Sequence, residues 1–182
     1  MHVPYSLLIV IAFLTASSSA NAFTEQDLKE LRATNKCDEC DLAKANLENV
    51  KLKNAEITNS NLSGADLTNA DFRNSVIRNT KFYLTTFAGT DFRGTKFIKP
   101  NFEKAKGKMA NFAETTIRFP NFQETQLTSA IFSNADISHA DFRNANLQGA
   151  TFTGTDTAGS LFDGANLCNT KMSDGRYIMI GC

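Results

Sequence analysis

The sequence predicts a solenoid, a rod made by stacking one short repeated unit, and two observations support this prediction. A large apolar residue recurs every five positions from Leu42 to Met172, with Gly107 and Thr157 as the two exceptions among 27 positions. The residue two positions earlier is small almost throughout, and the residue two positions later is Asn or Gly in 16 of the 27 units. A five-residue period fits neither the period of about 3.6 of a helix nor the period of 2 of a strand, so it indicates a repeat architecture.

Each unit supplies a large apolar residue, which we call the plug, a small inward neighbour and a corner. Asn and Gly suit the corner because they tolerate the positive φ that tight turns require. Plugs that lie 20 residues apart are similar in kind: Phe dominates two alternate series, and aliphatic residues dominate the two series between them. This sorting indicates four-sided coils. We number the faces 1 to 4 by the plugs of the first coil, which are Leu42, Leu47, Leu52 and Ile57.

Several units read Ala-Asp-Leu or close to it, as in Ala65-Asp66-Leu67 and Ala145-Asn146-Leu147. This pattern resembles the pentapeptide-repeat family, whose unit is A-(D/N)-L-x-x, over about 130 of some 160 residues after the N-terminal segment. The resemblance implies an all-β fold, a right-handed quadrilateral β-helix of about seven coils stacked by backbone hydrogen bonds. Pro100 and Pro120 are 20 residues apart, and because proline lacks an N–H we expect ladder hydrogen bonds to be lost at their corner.

The first 22 residues are typical of a signal peptide rather than of the solenoid. Ser6 to Ala16 is an apolar run too short to span a bilayer, and Ala20-Asn21-Ala22 is an A-x-A cleavage pattern. We therefore expect a mature chain that begins at Phe23. The segment before the apolar run carries no Lys or Arg, so a buried N-terminal strand or helix is the alternative. Export implies an oxidising compartment, in the periplasm or a thylakoid lumen or outside the cell, with no stable membrane insertion.

A solenoid exposes strand edges at both ends, and these ends need caps. Residues 23–36 are predicted to form an N-terminal cap with a short helix over Thr24 to Leu31, in which Thr24 is the N-cap. Residues 37–172 form the predicted β-helix, and residues 173–182 leave the repeat as a C-terminal cap. A leading helix, C-x-x-C-D-L before the first coil and M-x-D-G before a terminal Cys are also similar to exported members of the family.

The four cysteines, Cys37, Cys40, Cys168 and Cys182, lie in two pairs near opposite ends of the predicted rod. Coils about 4.8 Å apart would separate Cys40 from Cys168 by about 30 Å, far more than the roughly 4.4–6.8 Å between Cα atoms in a disulfide. We therefore expect Cys37–Cys40 and Cys168–Cys182. A redox or zinc role for Cys37-x-x-Cys40 is the alternative, but the βαβ context of a redox motif is missing from the sequence.

No pattern of catalytic residues is visible, so we expect no enzyme activity, no cofactor and no metal site. His139 is the sole histidine after the predicted cleavage point and occupies a corner position. The numerous acidic residues fall mainly where side chains point outward, and the paired carboxylates of a glycosidase would need a cleft. The chain also lacks nucleotide-binding and G-x-S-x-G motifs.

Charge is balanced overall, with 19 basic and 19 acidic residues, but it is segregated along the rod. Residues 37–72 carry a net −4, residues 73–118 a net +7 and residues 119–182 a net −3. Face 4 of this basic middle section combines outward cations with outward apolar residues. The candidate partner patch consists of Arg78, Lys96, Ile98, Lys99, Arg118 and Phe119. A solvated basic face is the alternative interpretation.

The sequence thus favours a non-enzymatic, exported structural or protein-interaction module. Its partner would be a protein or an anionic envelope component rather than nucleic acid, and the chain would be a monomer or a weak end-to-end dimer. Two alternatives remain. One is a DNA mimic that protects or inhibits a DNA-binding enzyme such as gyrase, for which a strongly acidic rod is needed, and the other is an envelope glycan-binding protein.

Overall fold

Parallel β-bridges with a constant step of 20 residues organise the fold. The computed structural model describes residues 23–182, and the predicted signal peptide lies outside the described residues. One helix precedes seven short strands: α1 Glu25–Thr34, β1 Lys36–Asp38, β2 Glu56–Thr58, β3 Val76–Arg78, β4 Lys96–Ile98, β5 Thr116–Arg118, β6 Thr170–Lys171 and β7 Tyr177–Ile178.

Strands β1 to β5 form one parallel sheet on face 4, in which Ile57 aligns with Ile77 and Ile77 with Phe97. On the other faces the same 20-residue register is kept by isolated bridges, which run on face 1 from Asp41 through every coil to Leu161. The sheet therefore covers four coil steps and the face 1 bridges cover six. This arrangement confirms the predicted quadrilateral β-helix.

The plugs fill the interior completely. Each plug from Leu42 to Phe152 has no exposed surface, apart from Gly107, which has no side chain. Phe rings on one face stack along the rod, as in Phe122–Phe142 with centroids 4.9 Å apart, and meet the rings of the opposite face edge-on, as in Phe122–Phe132 at 6.0 Å. Both geometries suit the quadrupole of the rings. Burial of each plug contributes about 1.5–3 kcal/mol before entropy is counted.

Where Asp or Asn precedes a plug, its side chain closes a turn. Its Oδ1 accepts a hydrogen bond from the backbone N–H two residues later, as Asp66 does from Thr68 at 2.9 Å and Asn101 from Glu103 at 2.9 Å. That N–H lies at the outward position after the plug, where no coil carbonyl reaches it. The preference for Asp and Asn at this position is therefore explained by an Asx turn.

Gly107, the first exception to the plug pattern, is compensated by Phe87 in the coil below. A Cβ on Gly107 would overlap the Phe87 ring. That ring lies 5.3 Å from the Phe102 ring and 5.9 Å from the Phe112 ring, both of which belong to the coil of Gly107. Phe87 thus fills two plug positions of face 2, where its neighbours along the rod are leucines.

Thr157, the second exception, lies at the open end of face 4. Its side chain is half-buried rather than buried, and the neighbouring Leu161 is 46% exposed. The C-terminal tail returns only far enough for β7 to pair antiparallel with β6. Because no further coil covers Thr157, a polar plug is tolerated there.

The corner that carries Pro100 and Pro120 loses no ladder hydrogen bonds relative to its neighbours, so our prediction for this corner was wrong. Within residues 23–182, the N–H groups of Ser60 and Thr80 at the same corner donate to no backbone carbonyl either. The Pro100 carbonyl still accepts from the N–H of Asn121 at 3.1 Å. Proline fits here because the missing N–H has no backbone partner to lose.

Both ends of the rod are capped. Thr24 accepts from the N–H of Asp27 at 3.1 Å as the predicted N-cap, although α1 runs three residues beyond the predicted Leu31, to Thr34. Asp27 then accepts from the N–H of Asp41 at 2.7 Å, which satisfies an edge donor of the first coil. At the other end, the N–H of Leu167 donates to the Ile180 carbonyl at 2.9 Å, so the tail takes the place of a coil.

The structure contains disulfides between Cys37 and Cys40, with Cα atoms 5.7 Å apart, and between Cys168 and Cys182, with Cα atoms 4.8 Å apart. The first disulfide lies at the junction of β1 and the first coil. The second ties the terminal residue to the last coil, so the C-terminal cap is fixed covalently to the end that it covers.

Arginines on face 3 bind the turn carboxylates of the same face. Arg73 lies 2.7 Å from Asp71 and 3.6 Å from Asp91 in the next coil, and Arg93 lies 2.6 Å from Asp91. The hydrogen bonds from Arg73 lower the pKa of Asp71 from 3.8 to about 2. Because this pKa is lower in the folded state, the carboxylate stabilises the fold above about pH 4 and loses that contribution as the pH falls toward 2.

We predict that Gly107→Leu destabilises the protein by about 3 kcal/mol or more, because the new side chain competes with the Phe87 ring for one space. The double variant Phe87→Leu/Gly107→Leu restores a continuous leucine series on face 2 and should lie within about 1 kcal/mol of the parent. Urea unfolding of the parent, both single variants and the double variant measures this coupling. Additive losses in the double variant would contradict the shared-space explanation.

We also predict that Asp71→Asn weakens the acid sensitivity of the fold. The amide keeps the turn acceptor for Arg73 but removes the charge, so stability should fall slightly at pH 7 and decline less than that of the parent between pH 4 and pH 2. Asp66→Asn is the control, since Asp66 bonds to Thr68 rather than to an arginine. Urea unfolding at stepped pH values measures both variants, and identical acid profiles for Asp71→Asn and the parent would refute the prediction.

Candidate partner-binding surface

Strands β3, β4 and β5 bring the six predicted patch residues together on face 4. Arg78 aligns with Ile98, and Ile98 aligns with Arg118, so these three outward side chains form one column along the rod. Lys96 lies in the parallel column, between Val76 and Thr116. Lys99 and Phe119 follow at the corner between faces 4 and 1. Alternate strand residues point to opposite sides of the sheet, and this places the whole set on the outer side.

The patch is exposed to solvent. Phe119 is 62% exposed and Ile98 is 37% exposed, while the plugs between them are fully buried. A protein surface usually shows apolar side chains singly, whereas these two are one coil apart and flanked by cations.

Most of the cations in the patch take part in no salt bridge among residues 23–182. Arg78 lies 3.8 Å from Glu56. Within residues 23–182, Lys96, Lys99 and Arg118 form no salt bridge within 4.0 Å. Their charges are therefore available to an external anion, which attracts them most strongly at low ionic strength.

The backbone of Phe119 has a left-handed conformation that is unfavourable for phenylalanine. Its φ is 53°, in the left-handed region that Asn and Gly occupy at most corners. This conformation costs a bulky residue about 1 kcal/mol or more, and burial does not compensate because the ring is exposed. Strained residues cluster at functional sites, and Phe119 combines its strain with a largely exposed aromatic ring.

His139 extends the patch by one coil. Its ring lies 5.8 Å from the Phe119 ring at an angle of 38°, and its φ of 58° shows that it shares the same corner conformation. The two rings, with Arg118, Asp136 and Ser138, line a shallow open recess of about 240 Å³. Sequence reasoning left His139 out of the patch, although its position 20 residues after Phe119 is the signal that would have included it.

No set of three or more His, Cys, Asp or Glu side chains in the described part of the chain is arranged to hold a metal ion. The described residues also include no helix of the length and hydrophobicity that crossing a membrane requires. The larger recesses in the described part of the chain are open to solvent: two lie on the walls of the filled rod, and two lie at α1 and its junction with β1.

Comparison with known families finds eight copies of the family described as pentapeptide repeats, in residues 36–74, 110–149 and 145–176. These ranges include more than half of the chain and leave out residues 75–109, in which four of the six patch residues lie. No curated protein matches the chain in sequence.

Several solved pentapeptide-repeat structures are similar to this one at low identity. QnrB1, a plasmid-mediated fluoroquinolone resistance protein, is 16% identical with a TM-score of 0.47, and the match covers 74% of each chain. Rfr23 from the cyanobacterium Cyanothece 51142 is 18% identical with a TM-score of 0.35, over 81% of this chain and 95% of its own. A protein from the Arabidopsis thaliana thylakoid lumen is 19% identical with a TM-score of 0.24, over 66% and 67% respectively.

Proposed function

The chain belongs to the pentapeptide-repeat family, and from this premise we propose that it is an exported, non-enzymatic interaction module that binds an anionic partner through face 4. The partner is a protein or an anionic component of the cell envelope. The filled interior presents no cleft for chemistry among the described residues, so the outer columns are the part of the molecule that can act.

One observation carries this proposal: Phe119 is strained, 62% exposed and adjacent to Arg118, which has no carboxylate within 4.0 Å among residues 23–182. Neither the strain nor the exposure helps the protein to fold. A partner that covers the ring would recover apolar burial at about 25 cal/mol per Å², and one that carries negative charge would pair with the free cations.

The geometry of face 4 suits an extended anionic segment. Arg78 and Arg118 occupy the same column two coils apart, a distance of about 10 Å at the usual spacing between strands. Ile98 lies between them, and Lys96 and Lys99 flank it in sequence. Anionic groups spaced along one chain can therefore reach several cations while an apolar group contacts Ile98 or Phe119.

The DNA-mimic alternative is less compatible with the charges of this rod. Mimicry of DNA requires a continuous acidic surface, whereas residues 73–118 carry a net +7 in the middle of this molecule. Envelope glycan binding differs from the proposal in requiring recognition of neutral sugars as well as charge. A neutral polymer in the experiment below separates these two functions.

We predict that the triple variant Arg78→Gln/Arg118→Gln/Phe119→Asn melts at or above the temperature of the parent, since all three side chains point outward and Asn relieves the backbone strain at position 119, but binds anionic polymers about tenfold more weakly. Isothermal titration with polyglutamate and with dextran sulfate at low and high salt measures this loss. Neutral dextran should not bind, and binding of neutral dextran would favour the glycan alternative.

The matched control for this experiment is Lys44→Gln/Lys51→Gln/Leu84→Asn, which removes two cations and one exposed apolar residue outside the patch. Equal affinities of the two triple variants would refute a specific role for face 4.

We also predict that the exported protein begins at Phe23, because the first 22 residues resemble a signal peptide. Mass spectrometry of the intact exported protein measures this, and a mature chain that retains Met1 would contradict export by cleavage.

A further inference from the structure

A second candidate site lies at the corner between faces 2 and 3, diagonally opposite the corner of Phe119. Ala88 and Gly89 have little or no side chain, and they form the floor of an open groove of about 500 Å³. Asn69 bounds the groove in the coil below, and Met109 and Ile131 bound it in the coils above. None of these residues was singled out from the sequence, because the plug pattern does not constrain them.

The apolar rim of this groove is unusually exposed. Met109 is 61% exposed and Ile131 is 38% exposed. Met109 also has a φ of 59°, so a flexible apolar residue occupies a left-handed corner that Asn69 and Gly89 occupy in the two coils below. Such a corner favours Asn or Gly, so the needs of folding do not explain a methionine there. Met109 thus shares with Phe119 the combination of strain and exposure.

The polar groups at the groove are available to a ligand. Lys108 precedes Met109 and, within residues 23–182, has no carboxylate within 4.0 Å. The carboxylate of Asp91, on the opposite wall, is already paired with Arg93 at 2.6 Å. The side-chain amide of Asn69 makes no hydrogen bond in the described part of the chain. The groove therefore offers one free cation and one free amide beside an apolar rim.

We propose that this groove binds an acidic peptide segment of a partner protein, with one apolar side chain of the peptide between Met109 and Ile131 and a carboxylate on Lys108. Charge complementarity selects an acidic ligand, and the apolar rim requires a side chain that sulfate groups or simple polyanions lack. Methionine suits such a role because its unbranched thioether adapts to different partners. This site is separate from the one proposed on face 4. Because the groove lies at the diagonally opposite corner of the coil, a peptide bound there leaves face 4 accessible.

Nuclear magnetic resonance of the protein labelled with 13C at its methionine methyl groups tests this site. The probe is a capped eight-residue peptide in which glutamate alternates with leucine, and the matched control peptide has lysine in place of glutamate. The Met109 methyl resonance should shift and saturate with the acidic peptide but not with the basic one. The Met179 methyl, which is also exposed but lies in the C-terminal tail, should not move.

Two variants separate the groove from face 4. Lys108→Gln should weaken binding of the acidic peptide at the groove about tenfold, as measured by the saturation of the Met109 methyl shift. Arg118→Gln/Phe119→Asn removes the cation and ring of face 4 and should change the affinity measured at the Met109 methyl less than about twofold. No saturable shift at Met109, equal shifts at Met179, or an unchanged affinity of Lys108→Gln would overturn the groove proposal. Loss of binding only in the Arg118→Gln/Phe119→Asn variant would also overturn it and would place the peptide on face 4.

Discussion

The backbone hydrogen bonds between successive coils are the interaction on which the rest of this structure depends. The N–H of each plug from Leu42 to Phe152 donates to a carbonyl one coil further on, as Leu67 does to Thr86 and Phe122 to Asp141, both at 2.7 Å. These bonds fix a step of 20 residues, and this step places plug above plug inside and outward residue above outward residue outside. A slip by one residue would turn every plug toward solvent, so the core and the surface columns share one register.

This register also explains how a rod whose described interior is filled by side chains can present binding surfaces. The interior admits few changes, because the plugs from Leu42 to Phe152 are fully buried and even the loss of one at Gly107 requires Phe87 to fill the space. The outward positions are free to vary, and any two of them 20 residues apart become neighbours. Cations and apolar residues scattered over residues 78–119 of the sequence thereby become one surface on face 4 and another at Met109.

Sequence reasoning recovers what is periodic in the chain and misses what depends on contacts between particular side chains. The plugs, the four faces, the Thr24 cap and the column from Arg78 to Arg118 all follow from spacing. The Phe87–Gly107 exchange depends on how far a ring reaches into the next coil, which spacing does not encode. The spacing also does not show that the N–H groups at the proline corner have no backbone acceptor. The groove at Met109 arises because the side chain of Ala88 is small and Gly89 has none.

Amide hydrogen exchange measured residue by residue tests the central claim that a single 20-residue register holds the rod together. Plug amides such as those of Phe92, Phe112 and Phe132 bond to the next coil and are buried, so they should exchange slowest. On faces 1 to 3 the amide after each plug has at most a turn side chain as its acceptor and should exchange much faster, whereas on face 4 the amides of Arg78, Ile98 and Arg118 bond within the parallel sheet and should be protected. A fast-exchanging amide after each plug of faces 1 to 3 is the predicted result, whereas uninterrupted protection across those positions would contradict the account.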